Sequence, residues 1–83
     1  MDVSIRGLPE WLIREYLQEM GAAPDPNDDS LMVADAWSVS WGHQRVAIAG
    51  GTLALTQFDI VFTGDELDPV FDQFMRKAQR GGG

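Results

Sequence analysis

The chain closes on Arg80-Gly81-Gly82-Gly83, the stretch whose residue types most directly permit chemistry. A terminal carboxylate carried on residues without Cβ atoms can lie along a narrow channel that any side chain would block. Arg80 would steer the tail electrostatically, and three extended glycines project up to about 10 Å. The competing reading is a helix cap followed by loose chain, or an appended remnant. The other reactive side chains offer less. His43 is the only histidine, in a Gly42-His43-Gln44 segment that reads as a turn, with no visible partner for nucleophilic catalysis or zinc. Asp25, Asp28 and Asp29 lack the spacing and distal glutamate of a calcium loop. Asp35 and Asp59 both fall within strand-like runs, where two carboxylates could converge for acid–base work; surface placement is the default. With no P-loop, no serine elbow and no cysteine, the chain reads as non-enzymatic, with neither metal nor cofactor.

The elements that must position these residues belong to one small domain of 83 residues. A chain this size buries roughly 60% of its unfolded surface, so its stability margin is thin. Without cysteines the core must come from apolar packing, which 45% hydrophobic residues, three tryptophans and four phenylalanines can supply. Thirteen acids against six bases give a net charge of −7. That field repels a phosphate backbone, so no nucleic-acid partner is expected. No apolar run approaches the roughly 20 residues that span a bilayer, and the N-terminus does not read as a signal peptide. A cytoplasmic protein without membrane contact is expected.

Along the chain, Asp2 to Arg6 alternates as a short strand. Leu8 to Met20 has helical periodicity, with Leu8, Trp11, Leu12, Ile13, Tyr16, Leu17 and Met20 as its apolar stripe and Gly21 as its C-cap. Ala22 to Ser30, rich in proline and aspartate, reads as a mobile loop. Leu31 to Trp41 alternates, placing Leu31, Val33, Trp37, Val39 and Trp41 on one face. Asp35 marks a break between two strands near Ala36-Trp37. Arg45 to Ala49 and Thr52 to Phe62 flank Gly50-Gly51 as a primed-turn hairpin. Leu53 and Leu55 are out of phase with Phe58, Ile60 and Phe62, which predicts a bulge near Thr56-Gln57. Asp65 to Arg80 is a second helix, burying Leu67, Val70, Phe71, Phe74, Met75 and Ala78, with acids early and bases late to suit its dipole. The expectation is a two-layer α+β domain over residues 1–80: a curved antiparallel sheet with both helices on one face, followed by a flexible glycine tail at 81–83.

Several words of this sequence resemble a known family: IRGLPEWLIREYL at the start, Gly50-Gly51-Thr52-Leu53-Ala54-Leu55, Phe58-Asp59-Ile60-Val61-Phe62 with Gly64-Asp65, and the closing Arg76-Lys77-Ala78 with Arg80-Gly81-Gly82-Gly83. They are similar to the C-terminal domain of thermophile proteins related to the small, sulfur-carrying subunit of molybdopterin synthase. There a ubiquitin-like domain precedes it; this sequence begins at Met1 without one, so a stand-alone protein or an isolated domain is implied. The resemblance implies strand, helix, four strands, helix, as in one half of a TATA-binding protein. DNA binding does not follow from that likeness, because the chain is acidic. Ubiquitin-like sulfur carriers also end in Gly-Gly, so the resemblance implies Gly83 as a thiocarboxylate acceptor. It also implies a non-catalytic accessory role in sulfur-carrier or molybdenum-cofactor biosynthesis. The partner would be a ubiquitin-like sulfur-carrier domain or its activating enzyme. The alternatives are a small apolar-ligand module, with Trp11, Trp37, Trp41, Phe58 and Phe62 as candidate lining, or a homodimer formed through exposed aromatics.

Overall fold

A computed structural model describes residues 1–82. The element order is β1 (Asp2–Arg6), α1 (Glu10–Glu19), β2 (Ala23–Asp25), β3 (Asp28–Val33), β4 (Trp37–Ile48), β5 (Leu53–Gly64) and α2 (Leu67–Gly82). The strands form one antiparallel sheet in the order β1-β5-β4-β3-β2. Strand, helix, four strands, helix is the expected order. Both helices cover one face of the curved sheet and share one core, in which Ile13 and Leu17 of α1 and Phe74 and Ala78 of α2 meet Met32, Val39, Ile60 and Phe62.

Each helix is set by its sequence. Pro9 stands at the N-cap of α1 in an extended conformation. The helix closes with a paired 6→1 and 5→2 motif: Ala22 N–H donates to the Leu17 carbonyl and Gly21 N–H to the Gln18 carbonyl, each at 3.0 Å. Gly21 takes the left-handed φ of 102° this cap requires. Trp11, however, is 65% exposed. It stands two residues from buried Ile13, about 200° around the helix, and so belongs to the opposite face. The apolar stripe is therefore narrower than the composition suggests.

The run from Ala22 to Ser30 is not a loop. It folds into the β2–β3 hairpin around Pro26-Asn27. Pro26 cannot adopt the positive φ of a primed turn, and the pairing shifts register between Pro24 and Asp25. The aspartates close the turn: Asp25 accepts the Asn27 N–H at 2.9 Å, and Asp28 accepts both the Ser30 N–H at 2.9 Å and its hydroxyl at 2.8 Å. These bonds hold the Asp28 carboxyl below its ordinary pKa, the Ser30 N–H being the larger cause.

The break at Asp35-Ala36 is present, with Ala34 N–H donating to the Trp37 carbonyl at 2.8 Å. It also changes the phase of the sheet. Met32, not Leu31 or Val33, joins Val39 and Trp41 in the core, and Val33 lies on the open face.

Gly42-His43-Gln44 is not a turn either; it lies within the twelve residues of β4. The β4–β5 register is unbroken from Trp37↔Gly64 to Ile48↔Leu53, so there is no bulge at Thr56-Gln57. The phase change in β5 has another cause. Phe58, Ile60 and Phe62 face the core, whereas Leu53 and Leu55 point to the open side of a hairpin that continues past the helices. The connection is four residues long, with Ala49, Gly50 and Gly51 all at positive φ (54°, 70° and 90°) and the Thr52 hydroxyl donating to the Ala49 carbonyl at 2.7 Å. A two-residue Gly50-Gly51 turn is thereby replaced by a wider left-handed loop.

Candidate functional site

The Arg80-Gly81-Gly82-Gly83 motif sits at the end of α2. The helix runs to Gly82 rather than stopping at Arg80, so the first two glycines extend it. Gly83 lies outside the described residues, and with it the terminal part of the expected flexible tail. The approach to the terminus is basic. Arg76, Gln79 and Arg80 line an open surface cavity of about 530 Å³. Arg76 is already engaged by Asp72 one turn earlier, at 2.8 Å. Lys77 reaches across to Glu19 of α1 at 2.7 Å and ties the end of α1 to α2. Arg80 alone lies in the last turn, at the negative end of the helix dipole, where it is favourable.

A second polar arrangement crosses the open face of the sheet. Ser4, Asp59 and Gly42 share one row, and Arg6, Gln57 and Gln44 the next. Asp59 accepts from the Ser4 hydroxyl at 2.7 Å, the Gln57 amide at 2.8 Å and the Gln44 amide at 3.1 Å. Arg6 Nε donates to Gln57 at 2.8 Å. A cavity of about 360 Å³ opens beside the pair, lined by Asp2, Val3, Ser4, Asp59, Ile60 and Val61. The Ser4 hydroxyl, then the Gln57 amide, hold the Asp59 carboxyl below its ordinary pKa, against a smaller effect of desolvation. A depressed value in the fold means that the contribution of these bonds is present above the unfolded pKa and fades as pH falls through the folded one. Ser4→Ala therefore moves the Asp59 titration upward, towards that of a free aspartate, as followed by carboxyl NMR. A titration that stays where it was would show that the hydroxyl does not set it.

The other candidates are dispersed. Asp35 and Asp59 do not converge: Asp35 precedes Trp37, which pairs with Gly64, so Asp59 stands five residues, about 17 Å, further along β5. His43 lies against Phe58, with ring centroids 6.1 Å apart. Among the described residues no group of three or more histidines and carboxylates could hold a metal. Of the aromatic candidates, Trp41, Phe58 and Phe62 are core residues, Trp37 is half-buried against Phe62 at 5.9 Å, and Trp11 stands alone on the outer side of α1. Four of the five thus share the core face of the sheet, and Trp11 does not join them. Trp41 is held by two residues of α1: its indole N–H donates to Glu10 at 2.8 Å, and the Arg14 guanidinium lies 4.9 Å from its ring centre. Arg14 in turn pairs with Glu10 at 3.6 Å and donates to the Asp29 carbonyl. This linkage, which joins α1 to the β2–β3 hairpin, is not legible in the sequence, because its members are scattered from residue 10 to residue 41.

A family model described as archaeal MoaD-like protein matches residues 1–83, the terminal glycines included. The chain belongs to that family. A search of curated proteins gives no match. The match bears out the relation to the small subunit of molybdopterin synthase read from the sequence. It associates this MoaD-like chain with sulfur-carrier and molybdenum-cofactor biosynthesis. No helix among the described residues of the MoaD-like chain is long and apolar enough to cross a membrane.

Proposed function

We propose that this MoaD-like chain is a non-catalytic accessory domain of sulfur transfer to the molybdenum cofactor, with the Gly83 carboxylate as acceptor of activated sulfur. The observation that carries the reading is a Gly-Gly-Gly terminus following Arg80 at the end of α2, in a chain matched along its whole length by a MoaD-like family. The chemistry falls to a partner enzyme. A carboxylate oxygen of Gly83 attacks the α-phosphorus of ATP and expels pyrophosphate. A hydrosulfide-class donor then attacks the acyl carbon of the adenylate, and AMP leaves as the thiocarboxylate forms. The chain contributes presentation. For the terminus to enter an activating channel the last helical turn must open. Glycine is about 1 kcal/mol poorer than alanine in a helix, so Gly81 and Gly82 keep that step inexpensive. Arg80, exposed at the mouth of the tail, is the cation placed to meet the nucleotide phosphates or an acidic rim on the enzyme.

Intact-mass measurement after incubation with ATP, an activating enzyme and a sulfur donor tests this. The expected product carries one oxygen-to-sulfur exchange, localised to Gly83 by fragmentation and abolished by Gly82→Val. An unmodified terminus, with the activating enzyme shown to be competent on another carrier, would refute it. The apolar-ligand alternative is disfavoured by the interlayer space itself, which Phe62, Phe74 and Ile60 fill.

A further inference from the structure

The β4–β5 hairpin continues beyond every element that could cover it. β1 reaches only to Gln57, and β3 pairs no further along β4 than Ser40. Past Gln44↔Gln57 the two strands run on alone for four more pairs and close at Ala49–Thr52. The molecule is correspondingly long, 43 × 28 × 19 Å, with a radius of gyration of 13.2 Å against about 12 Å for a compact chain of this length.

This arm is amphipathic without a partner. One face carries two cross-strand aliphatic pairs, Val46↔Leu55 and Ile48↔Leu53. Leu53 is 60% and Leu55 38% exposed. The other face holds Arg45, Ala47, Ala54 and Thr56. A two-stranded ribbon on its own is marginal in water unless its apolar face is covered. The charge pattern indicates what covers it. All thirteen acids lie outside residues 36–58, a run of the sequence whose one formal charge is Arg45. The rest of the chain therefore carries −8, and two copies meeting through it oppose acid to acid. Meeting through the arms, they do not, and Arg45 stays on the outer faces.

We propose that the aliphatic face of the arm is a self-association surface, on which Val46, Ile48, Leu53 and Leu55 pack against the same four residues of a second copy about a two-fold axis. The face is small. Four residues on each of two strands cover about 13 × 10 Å, well below the roughly 800 Å² per partner of a standard interface. The dimer is therefore weak and dilutes to monomer. It is independent of the glycine terminus, so the two readings stand or fall separately.

Sedimentation or light scattering across a concentration series tests it. The expected mass rises from monomer to dimer, and Leu53→Asp with Leu55→Asp holds it at monomer with the circular-dichroism spectrum unchanged. Because the chain has no cysteine, Leu55→Cys under mild oxidation gives a covalent dimer, whereas Trp11→Cys, exposed on α1, does not. A wild-type chain that stays monomeric to about 1 mM would overturn the proposal. So would a dimer that survives the two aspartates, or cross-linking through position 11 in preference to 55.

Discussion

Phe62→Ala lowers stability by about 3–5 kcal/mol, the range for emptying a buried phenylalanine site. Phe62 is almost fully buried on β5 and meets Phe74 at 5.4 Å and Phe71 at 5.9 Å from α2, and Trp37 at 5.9 Å from β4. The ring thus joins the C-terminal helix to the two central strands. A cavity there has rigid strands on one side and a tethered helix on the other, so it collapses poorly. The whole domain has about 4–12 kcal/mol to lose at the usual 0.05–0.15 kcal/mol per residue. The variant therefore loses a large share of that margin, and at its low end sits near the unfolding midpoint without denaturant. Urea titration followed by tryptophan fluorescence measures the shift. Phe71→Ala, at a half-buried position, costs visibly less; equal costs would mean that Phe62 is not the junction described here.

Gly64→Ala is expected to cost at least about 2 kcal/mol, because left-handed strain and a backbone collision add. Gly64 closes β5 at φ 145°. A Cβ there would meet the Ala36 carbonyl oxygen at 2.6 Å and Trp37 Cα at 3.0 Å. Both contacts are main chain of the bend that ends the β3 edge and starts β4, so neither can swing aside as a side-chain tip would. Gly7→Ala provides the comparison. Gly7 also has a positive φ, 87°, but open space around its would-be Cβ, so its substitution carries conformational strain alone. Thermal unfolding of the pair separates the two contributions. If Gly7→Ala costs as much as Gly64→Ala, the collision at Ala36 is relieved by backbone movement.

The core helices and the central hairpin are legible in the sequence because their burial pattern is local. Ile13 and Leu17, or Phe74 and Ala78, recur at four-residue spacing, and a face so written has to be covered. Gly21 after α1 is legible for a similar reason: the cap is built from neighbours in the chain. The misreadings share a different cause. Ala22 to Ser30 has the composition of a loop, yet it forms the turn end of a hairpin where residues 23–30 are largely exposed, so pairing there places no demand on composition. Gly42, His43 and Gln44 look like turn residues and sit mid-strand: Gly42 and Gln44 fall on the open face, which asks for no burial, and His43 falls on the other face against Phe58, beyond the cover of the helices. Leu53 and Leu55 look like a register error. They are in perfect register, on an arm that outruns the helices.

What belongs to the sequence alone is the α+β class, the two helical stripes, the charge and the glycine terminus, each specified by residues close together along the chain. What belongs to the tertiary structure is how far each strand outlasts its neighbours. From that follow the burial of Trp41, the gathering of Ser4, Gln44, Gln57 and Asp59 on one face, and the uncovered arm. Strand overlap is a sum over pairings between distant segments, and no single segment records it.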